Sequence, residues 1–382
     1  MGAMLPKPIL SKAVDRAGNY SLGAACVSVN GFRVSMEDAH VVLVEDDMSI
    51  LGIFDGHNGS ACSKYIAENL PAKIKALNGR HTQEELTKVC VGLDRDFLQN
   101  VGDASGTTGT FCIITRDYKV TICNVGDSRT LIGRAGRLLF ATEDHKPVCA
   151  EERERIEACG GCVVGGRVDG DLAVSRSFGD FSFKRKEALD DYNQHKVIAV
   201  PDVTTHVCQQ GDVIILACDG VFEGNFSNEQ VLSFVNEQAV KCLDLAVVAA
   251  RVCDEAIRRG SKDNISCLVV KLSDGSSSVR LFGAHSFLPG PPFPRTHEAS
   301  RAAYAAMAQA GNTTLADALA ARYALLKAHE KNTLSTKTPL EQTAFEMSDD
   351  TDIETEKAFF GRGPAPGNEA AFFVSLAEQG SR

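Results

Sequence analysis

The stretch ILGIFDGH, residues 50–57, joins a short apolar strand directly to an Asp-Gly turn, and VIILACDG, residues 213–220, repeats this arrangement. A strand end fixes the direction of the carboxylate that follows it, and the glycine lets the chain turn sharply and expose a carbonyl oxygen. Carboxylate and carbonyl oxygens are the ligands that hard cations such as Mg²⁺ and Mn²⁺ prefer. The two stretches therefore predict a cation site at two strand ends, with Asp55, Gly56 and Asp219 as its first candidates.

Four more acidic residues lie next to apolar strings, namely Glu37, Asp38, Asp127 and Asp263. A single Asp-Gly pair is usually a plain turn. If all these acids converge, however, their mutual repulsion raises their pKa values unless cations neutralise them. The number of acids at strand ends therefore favours a metal site over a set of unrelated turns.

The strings around these acids predict a mixed fold of strands and helices. The strand-like strings are rich in Val, Ile, Thr and Phe, and many lie in neighbouring pairs joined by short loops. This pairing favours antiparallel sheets covered by helices over a doubly wound parallel sheet, so the predicted fold class is α+β. The predicted strands are 23–30, 40–45, 50–54, 110–115, 119–125, 203–208, 213–218 and 266–272. The predicted helices are 60–77, 149–159, 243–259, 299–310 and 315–329, and two more begin at the capping boxes of Thr82 and Ser227.

Composition limits the classes of function. The chain has 382 residues, of which 44% are hydrophobic, and a formal net charge of −10. This acidic balance argues against nucleic-acid binding, and no apolar run approaches the roughly 18 residues that span a bilayer. Most of the thirteen cysteines lie inside apolar strings, which favours buried thiols in a reducing cytosol. We therefore expect a cytoplasmic monomer and leave partial membrane or nuclear association open.

Eight motifs, which follow one another along residues 20–272, resemble those of the metal-dependent Ser/Thr protein phosphatases of type 2C, the PPM family. The ordered set is far more specific than any one motif. Asn58 stands where the family usually has a glycine and Val221 where it often has a tryptophan, and neither change removes a predicted ligand. The motifs are RVSMEDAH (33–40), FDGH (54–57), SGTT (105–108), NVGDSR (124–129), EDHKP (143–147), GDLAVSRSFGD (170–180), ACDG (217–220) and KDN (262–264).

The resemblance implies a central sandwich of two antiparallel β-sheets flanked by helices, with two Mg²⁺ or Mn²⁺ ions at one edge. Asp55 would bridge both ions, and the Gly56 carbonyl would bind the first. Asp219 and Asp263 would bind the second ion. Asp127, together with Asp219, would serve a weaker third ion.

The resemblance also implies the reaction, which is hydrolysis of phosphoserine and phosphothreonine on proteins by a water that the cations activate. Glu37 and Asp38 would hold metal-bound waters. Arg33 would clamp the substrate phosphate through its two-pronged guanidinium, and His57 would protonate the departing seryl or threonyl oxygen. Residues 146–171 correspond to a flap beside the active site, and phosphorylated proteins are the implied partners.

A change of composition after Leu272 suggests how the chain is divided. Prolines concentrate between residues 289 and 294, and alanines concentrate beyond them. The run 341–357 holds seven acids and one lysine, which predicts a flexible tail. The predicted units are an N-terminal segment (1–19), a catalytic domain (20–275), a Pro-rich linker (276–298) and an Ala-rich helical extension with that tail (299–382).

Three alternative interpretations are weaker. Cys123 and Arg129 have the spacing of a cysteine-dependent phosphatase loop, but Asp127 within that loop would repel phosphate. The stretch CGGC, residues 159–162, has no further zinc ligands at close spacing. A catalytically silent phosphatase fold that acts as a scaffold is expected to lose a metal ligand or Arg33, and the sequence retains all of them.

The N-terminal sequence MGAMLPKP resembles the start of family members that are myristoylated at Gly2. Pro6 stands where serine or threonine is preferred, so the local signal for the modification is weak. One myristoyl chain gives only reversible membrane attachment. The sequence therefore leaves N-myristoylation open.

Overall fold

Two antiparallel sheets, stacked face to face, form the centre of the molecule. The structure is a computed structural model of the chain, and it describes residues 4–185, 191–273, 281–294 and 297–379. The first sheet has seven strands. From one edge to the other they are β10 (Arg137–Ala141), β9 (Arg129–Arg134), β15 (Val213–Ala217), β16 (Ile265–Leu272), β2 (Leu22–Arg33), β1 (Met4–Gly18) and β17 (Leu281–Leu288).

The second sheet has five strands, and its side chains alternate between two cores. Leu51 and Ile53 point between the sheets, where they pack with Leu216 and Leu268 of the first sheet. Phe54 belongs instead to the outer core, against helices. This period of two is what a strand buried on both faces requires. The five strands are, in order, β14 (Asp202–Val207), β8 (Lys119–Val125), β7 (Gly109–Thr115), β4 (Met48–Phe54) and β3 (Ala39–Val44).

Helices cover both outer faces, which produces the α-β-β-α arrangement and confirms the predicted fold class. Helices α1 (Ala61–Lys75) and α2 (Gln83–Asn100) pack on the five-stranded sheet, and α4 (Asn228–Lys241) and α5 (Leu245–Arg258) pack on the seven-stranded sheet. No helix in the described ranges is long and apolar enough to cross a membrane. The remaining helices are α3 (Ala150–Ala158), α6 (Glu298–Ala310), α7 (Leu315–Glu330), α8 (Asp350–Phe360) and α9 (Glu369–Glu378).

All eight predicted strands are present, with ends that differ by a few residues at most. Four other strands of the two large sheets were not predicted, and the longest of them is β1. Lys12 on β1 is buried, and its ammonium group lies 2.8 Å from the carboxylate of Asp254 on α5. A charged residue in a buried strand breaks the apolar pattern, although burial is acceptable where the charge is paired. The ion pair therefore explains why the pattern concealed the strand.

The two ends of the catalytic region differ from the units that the sequence suggested. Residues 4–18, expected in an N-terminal segment, form an inner strand of the seven-stranded sheet. Residues 281–288, expected in a linker, pair with that strand as an edge, with Val14 opposite Ser286. Gly2 and residues 276–280 lie outside the described residues.

The acidic run near the C-terminus also differs from the flexible tail that was expected. Residues 350–360 form helix α8, whose capping box joins Asp349 and Asp352. Glu356 on its inner face is buried and receives hydrogen bonds of 2.7 and 2.8 Å from the guanidinium of Arg322 on α7. The charge count was correct, but one acid of the run has a buried cationic partner that the sequence pattern does not show.

Candidate active site

A cavity of about 510 Å³ lies at one edge of the sandwich. Asp55 follows the end of β4, Asp219 lies two residues beyond β15, and Asp263 precedes β16. The strand ends therefore bring acids from distant parts of the sequence to one edge. The cavity is lined by eight of the nine residues predicted for the site, which are Arg33, Glu37, Asp55, Gly56, His57, Asp127, Asp219 and Asp263.

The ninth residue, Asp38, is buried beside the cavity, and Ser266 donates a 2.7 Å hydrogen bond to its Oδ2 atom. Its Oδ1 atom has no hydrogen-bond donor among the described residues. Burial raises the pKa of Asp38 to about 7, and the charge of Asp263 adds to the effect. The carboxylate therefore lies in a place that disfavours negative charge.

The acids on the cavity wall also lie in an environment that disfavours negative charge. Burial, and then the charge of Asp219, raises the pKa of Asp55 well above its ordinary value. Burial, and then the charge of Asp127, does the same to the pKa of Asp219. Several buried carboxylates close together are costly unless positive charge neutralises them. The cluster is therefore electrostatically suited to cations.

Two acids of the cluster already contact basic side chains. The Arg33 guanidinium lies 2.5 Å from the carboxylate of Asp263, and the ammonium group of Lys146 contacts the carboxylate of Asp127. In the part of the chain that the structure describes, no three acidic, histidine or cysteine side chains are arranged as ligands of one ion. The acids share one cavity, and two of them, Asp263 and Asp127, are engaged there in ion pairs.

Backbone contacts hold the Asp-Gly turn of the first strand in place. The Thr107 hydroxyl and the Thr108 amide each donate a 2.9 Å hydrogen bond to the Asp55 carbonyl oxygen, which gives the SGTT motif a structural role. A Cβ atom on Gly56 would lie 2.2 Å from the Glu37 carbonyl oxygen. Only glycine fits so close to the Glu37 carbonyl oxygen, so no other residue can replace Gly56.

His57 reaches the cavity from the far side of this turn. Its Nε2 atom lies 2.9 and 2.8 Å from the two carboxylate oxygens of Asp180. Burial lowers the pKa of His57, but the hydrogen bond and charge of Asp180 outweigh that effect, and the pKa is raised. The motif that contains Asp180 was recognised in the sequence, but no role was predicted for this residue.

Residues 23–265 match the family model described as Protein phosphatase 2C. The chain belongs to the protein phosphatase 2C family. It is 35% identical over 298 residues to Protein phosphatase 2C homolog 2 of Schizosaccharomyces pombe, which covers 72% of this chain and 80% of that protein. It is 32% identical to human Protein phosphatase 1A, with 71% of this chain and 76% of that protein covered. A solved structure, a phosphatase from a pathogenic strain of Toxoplasma gondii, is 29% identical and covers 72% of this chain and 99% of that one, with a TM-score of 0.66.

Family membership confirms that the chain is a hydrolytic enzyme, a protein phosphatase whose substrates are phosphoproteins. The family is metal-dependent, in agreement with the hard oxygen ligands predicted from the strand ends. A catalytically silent scaffold is the weaker interpretation, because Arg33 and the predicted ligands line this cavity, except for Asp38, which is buried beside it.

The flap of this phosphatase adds residues that the sequence analysis did not assign. Arg167 and Asp171, within the segment predicted as a flap, also line the cavity. The flap helix α3 is tied down through Glu152, which binds Arg155 at 2.8 Å and Arg176 at 2.7 Å. Burial raises the pKa of Glu152, but the hydrogen bonds and charges of the two guanidinium groups outweigh that effect and lower the pKa to about 2. The flap is therefore anchored by a charged network next to the cavity.

The departures from the family pattern have local explanations in the phosphatase structure. Asn58 adopts a φ of 56°, a left-handed conformation that asparagine tolerates better than other residues with a side chain, so it can replace a glycine. The aromatic ring of Phe222, next to Val221, lies under the Arg129 guanidinium, with 4.5 Å between the guanidinium carbon and the ring centre. Asn58 is itself on the cavity wall, whereas Val221 is fully buried and does not line the cavity.

The cysteine-based mechanism does not fit this phosphatase. Cys123 is fully buried in strand β8, and burial raises the pKa of its thiol well above the ordinary value. A nucleophilic cysteine requires the opposite, an accessible thiol with a lowered pKa. The interpretation based on Cys123 and Arg129 is therefore wrong on physical grounds.

Proposed function

We propose that this phosphatase hydrolyses phosphoserine and phosphothreonine on proteins with two Mg²⁺ or Mn²⁺ ions held at the carboxylate cluster. The supporting observation is that Asp55 and Asp219, two half-buried acids, line one cavity without enough positive charge, so that burial and the charges of neighbouring acids raise their pKa values. Such an arrangement opposes folding unless it serves a ligand of opposite charge. Divalent cations are the ligands that these oxygen donors prefer.

The residues present fit that role. Asp55 would bridge the two ions, and the carbonyl oxygen of Gly56 would bind the first. Asp219 and Asp263 would bind the second, and Asp127, with Asp219, a weaker third. The cations, when bound, supply a water of lowered pKa and neutralise charge on the phosphoryl group.

Two further acids belong to the proposed site. Glu37 would orient water through its carboxylate, which already accepts hydrogen bonds from the Ser35 hydroxyl at 2.7 Å and the Gly59 amide at 3.0 Å. Asp38 would do the same through the Oδ1 atom that meets no donor. Both groups would act on water and not on the substrate itself.

Arg33 and His57 would act directly on the substrate. The Arg33 guanidinium is partly exposed at the cavity and presents several N–H groups in one plane, which matches two oxygens of a phosphate. His57, whose pKa Asp180 raises against the effect of burial, would give its proton to the departing serine or threonine oxygen. That oxygen is strongly basic, so proton donation is expected to contribute about 10²–10⁴-fold in rate.

The first experiment measures phosphate release from a phosphothreonine peptide with Mg²⁺, Mn²⁺ or EDTA. We expect turnover that depends on the cation and that falls by about 10³-fold in Asp219→Asn. Asp96→Asn is the matched control, because that carboxylate pairs with Lys73 on the helical surface. Turnover that persists in EDTA and stops on thiol alkylation would contradict the metal mechanism. A folded protein without turnover under any condition would favour the scaffold interpretation.

A further inference from the structure

A small three-stranded sheet beside the cavity joins three separate loops. Its strands are β5 (Gly56–His57), β6 (Gly106–Thr107) and β13 (Phe178–Gly179), with β6 in the middle. Gly106 is paired with His57 on one side and with Gly179 on the other. The sheet therefore places His57 and the residue after Gly179 across the same point of the central strand. That residue is Asp180.

The contact between His57 and Asp180 is made by one ring nitrogen only. The Nε2 atom lies within 2.9 Å of both carboxylate oxygens, and Asp180 is 2% exposed. A carboxylate accepts hydrogen bonds, so Nε2 carries a proton in this pair. Nδ1 is then the nitrogen that is not engaged by Asp180. The pair thus fixes both the orientation of the ring and the nitrogen available to the cavity.

The backbone beside this pair leaves no space for a side chain at residues 106 and 179. A Cβ atom on Gly106 would lie 2.2 Å from Oδ2 of Asp180 and 2.4 Å from Nε2 of His57. A Cβ atom on Gly179 would lie 2.3 Å from the carbonyl oxygen of Ser105. Two glycines are thus required by the close approach of the chains. The SGTT and SRSFGD motifs supply these glycines and the carboxylate itself.

Further contacts with neighbouring residues hold Asp180 and its turn in place. It has a φ of 51°, which is costly for a residue with a side chain and persists only where neighbours enforce it. The Ser177 hydroxyl donates to its Oδ2 atom at 2.5 Å. The amide of Gly179 donates to Asp94 on α2 at 2.7 Å, and the buried ammonium group of Lys184 contacts both oxygens of Asp94. The turn is therefore clamped on both sides of Asp180.

We propose that Asp180 is a positioning residue of this phosphatase, which orients the His57 ring through Nε2 so that Nδ1 delivers the proton to the leaving oxygen. This rests on the proposed function, in which His57 is the proton donor. Asp180 does not touch the substrate. It acts by removing the freedom of the ring to turn, and small errors in the placement of a catalytic group reduce rates strongly.

The test compares two substrates that differ in their need for a proton donor. A phosphothreonine peptide releases a strongly basic alkoxide, whereas p-nitrophenyl phosphate releases a weakly basic phenolate. We expect Asp180→Asn to lower kcat for the peptide by about 10- to 100-fold, with KM little changed. For p-nitrophenyl phosphate we expect a loss of less than about threefold. Asp96→Asn, the surface control, should change neither substrate.

His57→Gln and the double variant separate the failure of this inference from failure of the proposed function. We expect His57→Gln to show the same substrate dependence, and the double variant to be no worse than His57→Gln alone, since the two residues act as a unit. An equal loss on both substrates in Asp180→Asn would show that Asp180 only supports the fold. The absence of any substrate dependence in His57→Gln would instead remove His57 as the proton donor. If Asp180→Asn does not fold, Ser177→Ala decides by the same criterion, with a smaller loss expected on the peptide alone.

Discussion

Charge is arranged in opposite ways in two regions of this molecule. At the cavity, Asp55 and Asp219 are half-buried with too little positive charge, and their pKa values are raised. In the C-terminal helices, Arg322 and Glu356 are more deeply buried, but they form a complete pair at 2.7 Å with further bonds to backbone carbonyls. The first arrangement costs folding energy and invites a ligand, whereas the second is complete in itself.

This difference separates a functional cluster from a structural one more clearly than burial or charge alone. A matched pair such as Lys184 and Asp94 satisfies its donors and acceptors within the chain. The Oδ1 atom of Asp38 is left without a donor among the described residues. Unsatisfied buried groups are uncommon, so each one calls for a physical explanation. At the cavity, the proposed cations would supply the missing positive charge.

The largest effect is expected from Asp55→Asn, which removes charge from the uncompensated cluster. Activity should fall by about 10³-fold or more, because the residue that would bridge the cations is lost. In EDTA, however, the free energy of unfolding should rise by about 1–2 kcal/mol, since repulsion with Asp219 is relieved. Phosphate release and urea unfolding of the same samples test both parts. A loss of stability in EDTA would contradict the description of the cluster as uncompensated.

The same substitution at the compensated pair should have the opposite effect on stability. Glu356→Gln leaves the Arg322 guanidinium buried without its carboxylate, which should lower the free energy of unfolding by about 3 kcal/mol. Turnover per folded molecule should remain near that of the wild type. The double variant Arg322→Met with Glu356→Leu should recover much of the stability, because no charge is then left unpaired. Urea unfolding of the three proteins would detect a failure to recover.

The strands and the acids of the cavity could be predicted from sequence because their signals are local. An apolar string that stops at Asp-Gly gives both a strand end and a candidate ligand, and the structure places Asp55 and Asp219 in one cavity. Strand β1 could not be predicted, because Lys12 is acceptable there only through Asp254, which lies far along the chain. Local patterns identify elements, but not the distant partners that make an exception possible.

The same limit applied to the site. His57 was identified from its motif, but Asp180 is 123 residues away, and only the small sheet brings the two together. Arg167 was within the predicted flap, yet nothing in its neighbours indicated that it lines the cavity. The glycines of SGTT and SRSFGD were the available signal for this small sheet. A glycine outside a turn often marks a place where two backbone segments approach closely.

Cation binding should stabilise the cavity end of the molecule and leave the C-terminal pair unaffected. Mg²⁺ or Mn²⁺ at a hundred times its dissociation constant is expected to raise the free energy of unfolding by about 2.7 kcal/mol. The gain should be strongly reduced in Asp55→Asn and retained in Glu356→Gln. Thermal unfolding with a series of cation concentrations measures this. An equal gain in all three proteins would place the cation elsewhere.

The smallest effect is expected from pH at the flap, where Glu152 is compensated like Glu356 but lies next to the cavity. Its pKa is lowered from 4.5 to about 2 by Arg155 and Arg176, against the opposing effect of burial. A lowered pKa means that the unfolded chain binds the proton more tightly than the folded chain. The contribution to stability is therefore complete above pH 4.5 and is lost as the pH falls towards 2.

Because part of the network meets solvent, we expect a contribution of the order of 1 kcal/mol. The free energy of unfolding of Glu152→Gln should depend less on pH between 5 and 3 than that of the wild type. If the free energies of the two proteins change with pH in parallel, the arginines do not hold the flap through this charge.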